Sequence, residues 1–498
     1  MLRAAQARIV LRENTLKESS VVVLEFNELT PHLIQQWMDE GKLPGFKQLH
    51  DESTVFVTDA EEPEASLEPW IQWVTVHSGM TFKEHGIYDL GDGHKLRAPR
   101  LWDVASEAGK RVWICGSMNA GVYGKSVNGA IIPDPWSTGF KPFPEKDFEH
   151  FFRYIQTSVQ EYTRSDVPLT ISDHLKFGWF MLRNGLSFET MKRTFKQLLS
   201  ERTSGGKFHW RRAMILDRLL WDLFRSRWAS LKPHYSALFL NSTAHLQHYH
   251  WRNMDPDSFK LKPDATEQDE YHDAVLRGYQ AMDKIVLEAL QMIKGTNTNL
   301  VMMTALSQQP LTRHEDSGGK QLFKSKDPME FLRFAGVTTS AKYEPVMAEE
   351  FRYIFDTPED AEQAQEKLLA IKINDEAVIR CRQDGVELFL ACAIISSPAD
   401  SAEMKTADGN TSRFDAMFYP MLSVKSGRHH PDGMFWLRRP IAKHREMAGK
   451  LPLRSTTATL ASLASLDPAT VKKQFVYPGI DDLDSVGGTT MPTAIESA

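Results

Sequence analysis

Cysteine is scarce in this chain. Cys115, Cys381 and Cys392 are the three among 498 residues, and no two form a Cys-x-x-Cys pair. That spacing argues against a disulfide framework and against a cysteine metal cluster. No window approaches 18 apolar residues, so no membrane span is expected. The opening MLRAAQARIVLRENTLKESS lacks an uninterrupted apolar stretch and does not read as a secretory signal, so a cytoplasmic location is the expectation. A basic excess is missing as well. A net charge of −6 and a pI near 6.3 give no reason to expect a nucleic-acid partner. One local basic stretch, Arg211, Arg212, Arg218, Arg225 and Arg227, is interleaved with Trp210, Leu219, Trp221 and Phe224. It reads either as a solvated helix face or as a membrane-surface or acidic-ligand contact.

What is present suits a globular protein. A chain of 498 residues is long enough for a large core or for two to three domains, and its apolar content of 42% is ordinary for a globular protein. Residues 19–150 alternate strand and helix patterns: SVVVLEF, TPHLIQQWMDEG, EPWIQWVTVHSG, LWDVASEAG and KRVWICGSMN. This βαβ cadence points to an α/β fold with a mostly parallel sheet sandwiched by helices. Residues 151–232 change to helical spacing and read as a helical insertion or cap. The core resumes over 233–339, with YSALFLNS as a buried strand, DEYHDAVLRGYQAMDKIVLEALQMI as one long helix and NTNLVMMTAL as the next strand. Residues 340–400 read as a small α+β insertion of β-α-β-β order, 401–470 as the last part of the core, and 471–498 as a polar tail. Glu25 interrupts an apolar strand; a buried carboxylate is costly unless paired, so it should meet an arginine or face the cleft.

Several segments carry candidate chemistry. Asn27 and Glu28 sit just past the carboxyl end of the first strand, where open α/β sheets place their ligands. LEPWIQWVTVHSGMTFKEHGI contains Ser78–Gly79 and His85–Gly86–Ile87. LFLNSTAHLQHYHW, read as a strand that runs into a turn, contains His245, His248 and His250, NLVMMTALSQQP ends the next core strand, and SGRHHPDGMF contains His429, His430 and Gly433. Three histidines within six residues can bind metal or pack beside Trp251.

In this order the segments resemble the alkaline phosphatase superfamily, in particular its type I phosphodiesterase/nucleotide pyrophosphatase branch. The resemblance runs over roughly 19–140, 235–310 and 415–465. It implies an alkaline phosphatase-like core and, for active members, ester hydrolysis at two metal ions. The metal-binding Asp of the strand tip falls at Asn27. The nucleophile at a helix N-terminus falls near Ser66, with Glu68 as the alternative at the tip; such a position suits an anion. An Asp and a His four residues on fall at Ala244 and His248, an Asp-His pair at Ala305 and Leu306, and a late His at His429, with Gly433 in place.

Four of those ligand positions are therefore changed, and His248 and His429 persist. Two metals are not expected. One zinc or manganese is conceivable with help from His245, His430 or Glu28, since catalytic zinc uses three protein ligands and an open position. The leading expectation is a non-catalytic binder of a phosphorylated or anionic ligand. The alternative is a divergent phosphate- or sulfate-ester hydrolase or transferase using one metal or none, with Ser66 and Glu68 as catalytic candidates. A third reading makes the core a scaffold for a protein partner that docks on the insertions.

Overall fold

The first strand, β1 (Ser20–Phe26), is apolar on both sides because both sides are covered. Val22, Leu24 and Phe26 face one hydrophobic cluster and Val21 and Val23 face another. A strand buried on two faces needs a continuous apolar run rather than an alternating one. The computed structural model describes residues 19–480 except 138, 161–168, 206, 347–348, 397, 399–401, 422–423 and 442–443. The expected lead-in over 1–18 and the tail beyond 480 lie outside the described residues. Within the stretch assigned to the tail, Val471, Phe475 and Ile480 are buried in the second cluster.

The other strands that matter here are β2 (Thr54–Asp59), β3 (Val112–Cys115), β4 (Gly129–Ile132), β5 (Tyr235–Leu240), β6 (Thr298–Thr304), β7 (Ser307–Pro310), β8 (Gly427–His430), β9 (Asp432–Arg438) and β10 (Arg445–Pro452). The central sheet has eight strands in the order β10-β2-β9-β6-β1-β5-β3-β4. Every pairing is parallel except those of β9, which is antiparallel to both β6 and β2. The expected α/β architecture is what the chain adopts. β7 and β8 form a separate antiparallel pair at the sheet's end, with His429 opposite Gln308.

The longer helices are α1 (Pro31–Asp39), α2 (Pro44–Asp51), α3 (Pro69–Ser78), α4 (Leu101–Glu107), α5 (Glu145–Gln160), α6 (Ile171–Arg183), α7 (Phe188–Thr203), α8 (Arg212–Leu231), α9 (Ser242–Met254), α10 (Ala274–Ile293) and α11 (Ser455–Leu463). The first cluster joins residues of α1, α2, α5, α8 and α10 to β1, and the second joins α3, α4 and α11. Helices α5 to α8 lie between β4 and β5, so the helical stretch covers one face of the sheet. The basic residues of α8 are a helix face with partners: Arg212 pairs with Glu201, Arg218 with Glu288 and Arg225 with Asp222. The long helix expected over 269–293 is interrupted: a short helix, Ala265–Tyr271, ends just before α10 begins.

Between β7 and β8 the chain builds a second, smaller core. Strands Phe351–Phe355, Ile379–Asp384, Glu387–Cys392 and Ala341–Pro345 form an antiparallel sheet on which helix Pro358–Leu369 packs. Tyr353, Leu388, Leu368 and Phe331 are among its fully buried side chains.

Candidate cation site at the strand ends

The carboxyl ends of β1, β5 and β6 meet at one edge of the central sheet, and β9 starts there because it runs the opposite way. β5 runs into Asn241, while β6 runs into the apolar Ala305 and Leu306. β1 runs into Asn27 and Glu28. Glu28 has φ 59°, a left-handed conformation that costs a non-glycine residue about 1–2 kcal/mol and clusters at functional sites. Gln247 holds the turn by donating Nε2–H to the Glu28 carbonyl at 2.7 Å. Tyr279 in turn donates to Gln247 Oε1 at 2.5 Å and accepts from the Thr30 N–H at 2.7 Å.

β5 ends at Leu240 and α9 begins at once. The segment 242–251, expected to continue the strand and a turn, is helical. That places Ala244 and His248 one helical turn apart on a common side. The first turn of α9 is met by Asp217 of α8, which accepts backbone hydrogen bonds from Asn241 and Ser242. β8 brings in His429. Gly427 lets this strand approach α9, because a Cβ there would collide with Gln308 Oε1 and the Gln247 carbonyl. Gly433 has a similar reason: a Cβ would collide with the Thr304 carbonyl on β6.

Three side chains converge. Glu28 Oε2 lies 3.0 Å from His248 Nε2 and 3.3 Å from His429 Nε2. The ligand atoms of the three all fall within 4.8 Å of one another. Nitrogen and oxygen ligands about 2.0–2.2 Å from a tetrahedral ion lie roughly 3.3–3.6 Å apart, so the spacing suits one small divalent cation. The orientation suits it too. His248 Nδ1 sits 3.1 Å from the Gly427 carbonyl and donates to it, which leaves Nε2 as the atom turned toward Glu28. Outer-shell contacts of this kind set the tautomer of a metal-binding histidine. His429 Nε2 is buried and makes no hydrogen bond. Gln308 donates Nε2–H to Glu28 Oε2 at 2.5 Å and to the Ala244 carbonyl at 2.9 Å. Glu28 is 2% exposed, while the side chains of His248 and His429 are 16% and 14% exposed, so the group opens to solvent on the histidine side.

The charges respond to this packing. Burial alone would raise the Glu28 pKa, but His429 and His248 outweigh it and hold the carboxyl well below the usual range. Burial, with Lys425 nearby, pushes His248 down to about 4 despite Glu28. At His429 burial acts downward too, but Glu28 and Glu68 together raise its pKa. Glu68 sits at the N-cap position of α3 with no capping hydrogen bond, and its Oε2 lies 3.5 Å from His429 Nδ1. Beyond these histidines, Lys320, Lys425, Arg380, Glu349 and Glu350 influence one another electrostatically; burial, then Glu349 and Glu68, pushes the Glu350 carboxyl up.

The remaining candidates are placed as follows. Asn27 donates Nδ2–H to Glu28 Oε1 and to Asn241 Oδ1, both at 2.8 Å, and its Oδ1 accepts from Trp73 Nε1 at 3.0 Å. Ser66 is buried in a short 3-10 turn and its hydroxyl faces Glu62 Oε2 at 3.4 Å. His245 packs at a tilt against Tyr249 with ring centroids 5.1 Å apart, and burial takes its pKa to about 4. His430 neighbours His429 on a strand, so it points to the other side, and its Nδ1 accepts from the Asp432 N–H at 3.2 Å. Ala305 is buried in the second cluster, and Leu306 packs with Ala60 and Leu67. Glu25 meets neither an arginine nor the site. His77 Nε2 lies 3.0 Å from its Oε1, and Ser117 donates to its Oε2 at 2.6 Å. Gln308, Gln247, Lys320, Lys425 and the acidic pair Glu349–Glu350 were not anticipated. The Ser-Gln-Gln-Pro run after β6 was the one available signal, since two amides at a strand end suit an outer shell.

The sequence matches no family model and no curated protein sequence. Among solved structures, the chain is similar to phosphonoacetate hydrolase from Sinorhizobium meliloti 1021 in complex with phosphonoacetate: 12% identity, TM-score 0.42, 90% of this chain and 96% of that one covered. It is also similar to human ectonucleotide pyrophosphatase/phosphodiesterase 5, with 9% identity, TM-score 0.41 and coverage of 90% and 95%. Both neighbours are alkaline phosphatase superfamily members. At such identities the function has to be argued from this chain's own residues.

Proposed function

We propose that this chain binds a phosphorylated or otherwise anionic ligand at one divalent cation held by Glu28, His248 and His429, without a two-metal reaction. The observation that carries this reading is His429 Nε2, buried without a hydrogen bond and aimed at the same Glu28 oxygen that His248 Nε2 faces. Two imidazoles and a carboxylate suit zinc and also manganese. A cation bound there would act as a Lewis acid toward a phosphoryl or sulfuryl oxygen. Glu28 supplies the negative charge, and Gln308 and Asn27 hold its two oxygens in place. Lys425 and Lys320 supply positive charge for the rest of an anion. The absence of turnover is supported by Ser66, whose hydroxyl faces Glu62, and by the apolar Ala244, Ala305 and Leu306 at the positions where the resemblance puts metal ligands.

A second reading, a single-metal ester hydrolase or transferase, is favoured by one feature. Three protein ligands with solvent access on one side is the arrangement of catalytic zinc sites, and Glu68 stands next to His429. Metal analysis and titration with zinc and manganese test the shared part. About one ion per chain is expected, lost in Glu28→Gln and in the His248→Ala/His429→Ala double variant. Protein that takes up neither ion, with unchanged thermal stability when either is added, overturns the proposal. A screen with aryl phosphate and sulfate esters then separates the two readings: turnover abolished by Glu28→Gln selects the hydrolase.

A further inference from the structure

Helices α6 and α7 form part of the outer helical layer, and their apolar faces point outward. On α6, Phe177 and Phe180 face inward, Phe177 stacked on Phe151 and Tyr154 and Phe180 packed against Phe148 and Phe151, and Met181 is buried. The opposite side carries Ile171, Leu175, Trp179 and Leu182, which are 80%, 69%, 61% and 57% exposed. α7 goes further, because its polarity is inverted. Thr190, Gln197 and Glu201 are its buried residues, with Gln197 donating to Glu201 and Glu201 pairing with Arg212. Phe188, Met191, Phe195, Leu198 and Leu199 are exposed. At 3.6 residues per turn, each set falls within an arc of about 80–100°. A surface helix of a globular protein normally turns such a stripe toward the core. Exposed apolar stripes on two consecutive helices mark an interaction site.

The charges around the patch indicate what covers it. Nearby carboxylates have cationic partners: Asp173 pairs with Arg153, Glu189 with Arg193 and Glu201 with Arg212. Lys176, Arg183, Lys192, Lys196 and Arg202 are exposed, and among the described residues none of them has an ion-pair partner within salt-bridge distance. Arg183 lies over the Trp179 ring at 5.4 Å. The apolar faces are thus bordered by cations on a chain whose net charge is −6. A second copy related by a two-fold axis would bring this cationic border against itself. An anionic bilayer complements it, with Trp, Phe and Leu entering the acyl boundary and Lys and Arg meeting the headgroups. Among the described residues no helix is long and apolar enough to cross a membrane, so the contact would be one of lying on the surface.

We propose that the outer faces of α6 and α7 dock this protein on an anionic lipid bilayer. The inference does not depend on the cation site. The test is co-sedimentation of the full chain with vesicles of phosphatidylcholine, alone or mixed with phosphatidylglycerol. Mixed vesicles should retain the protein at least about tenfold better than neutral ones, and added salt should weaken the binding. Phe195→Ser/Leu199→Ser should abolish retention, and Lys192→Glu/Lys196→Glu should reduce it to the neutral-vesicle level. These side chains face solvent, so circular dichroism and metal content should match wild type in both variants. No retention by mixed vesicles, or retention unchanged in both variants, overturns the proposal. So does a dimer of the wild-type chain that Phe195→Ser/Leu199→Ser converts to monomer, since that assigns the face to a second copy.

Discussion

Glu25 and Glu28 both come from the end of β1, both are buried, and both meet histidine, yet they form opposite kinds of group. Glu25 is closed. One oxygen is met by His77 and the other by Ser117, and Trp73 and Trp102 pack around the imidazole. Glu28 is open. Its Oε2 faces two imidazole nitrogens, one of which makes no hydrogen bond, and both rings reach solvent. Residue types are nearly the same in the two clusters, so type does not separate a structural pair from a candidate site. What separates them is whether every buried donor and acceptor already has a partner.

The comparison can be broken at several points. The largest effect is expected from Glu28→Gln. Loss of an outer-shell partner alone costs about 10–100-fold in metal affinity, and loss of the only anionic ligand should exceed that, read by titration with zinc. Unchanged affinity would show that Glu28 is as inert toward cations as Glu25. The converse change is His77→Ala, which leaves a carboxylate oxygen buried without its partner and should destabilise the fold by about 3 kcal/mol in urea denaturation, with zinc affinity retained. A similar stability loss in both His77→Ala and His248→Ala would erase the distinction. Gln308→Ala should be milder: about tenfold weaker zinc binding, because Glu28 loses one hydrogen bond that orients it.

A further effect is expected from pH on metal-free protein. Burial lowers His85 to about 4, His245 to about 4 and His250 to about 3, from an ordinary 6.5. Their folded pKa values lie below the unfolded ones, so between the two the unfolded chain binds more protons. Stability should therefore fall as the pH drops from about 6.5 toward 4, and the melting temperature should follow. His429, raised by Glu28 and Glu68, acts in the opposite sense; its contribution is present below pH 6.5 and is lost as the pH rises through its folded pKa. A melting temperature that climbs on acidification would mean that the open cluster, and not the buried histidines around it, dominates the titration.

Much of the scaffold was legible from periodicity. The strand SVVVLEF and the helix EPWIQWVTVHSG follow from local pattern, because burial on two faces and a first-turn proline leave marks within a few residues, whereas the smaller core carries a strand, Ala341–Pro345, ahead of the expected β-α-β-β order. His248 and His429 stand where the family resemblance puts two histidines. Glu28 was visible as a neighbour of the strand tip, but its role as the centre of the group depends on a left-handed backbone at that residue, which a glutamate does not announce. The 242–251 segment was misread because Asn-Ser-Thr after a strand suits a turn as well as a helix start.

By itself the sequence determined which stretches are strands, which helices are amphipathic and which titratable residues stand at segment ends. Those properties are local, set by side-chain spacing along one element. Tertiary structure alone decided that residues 28, 248 and 429 converge while 245 and 430 turn away, and that the apolar stripe of α7 faces out while its glutamine and glutamate face in. The physical reason is the same in both cases: periodicity creates a distinct face, and only packing against distant elements decides where that face points.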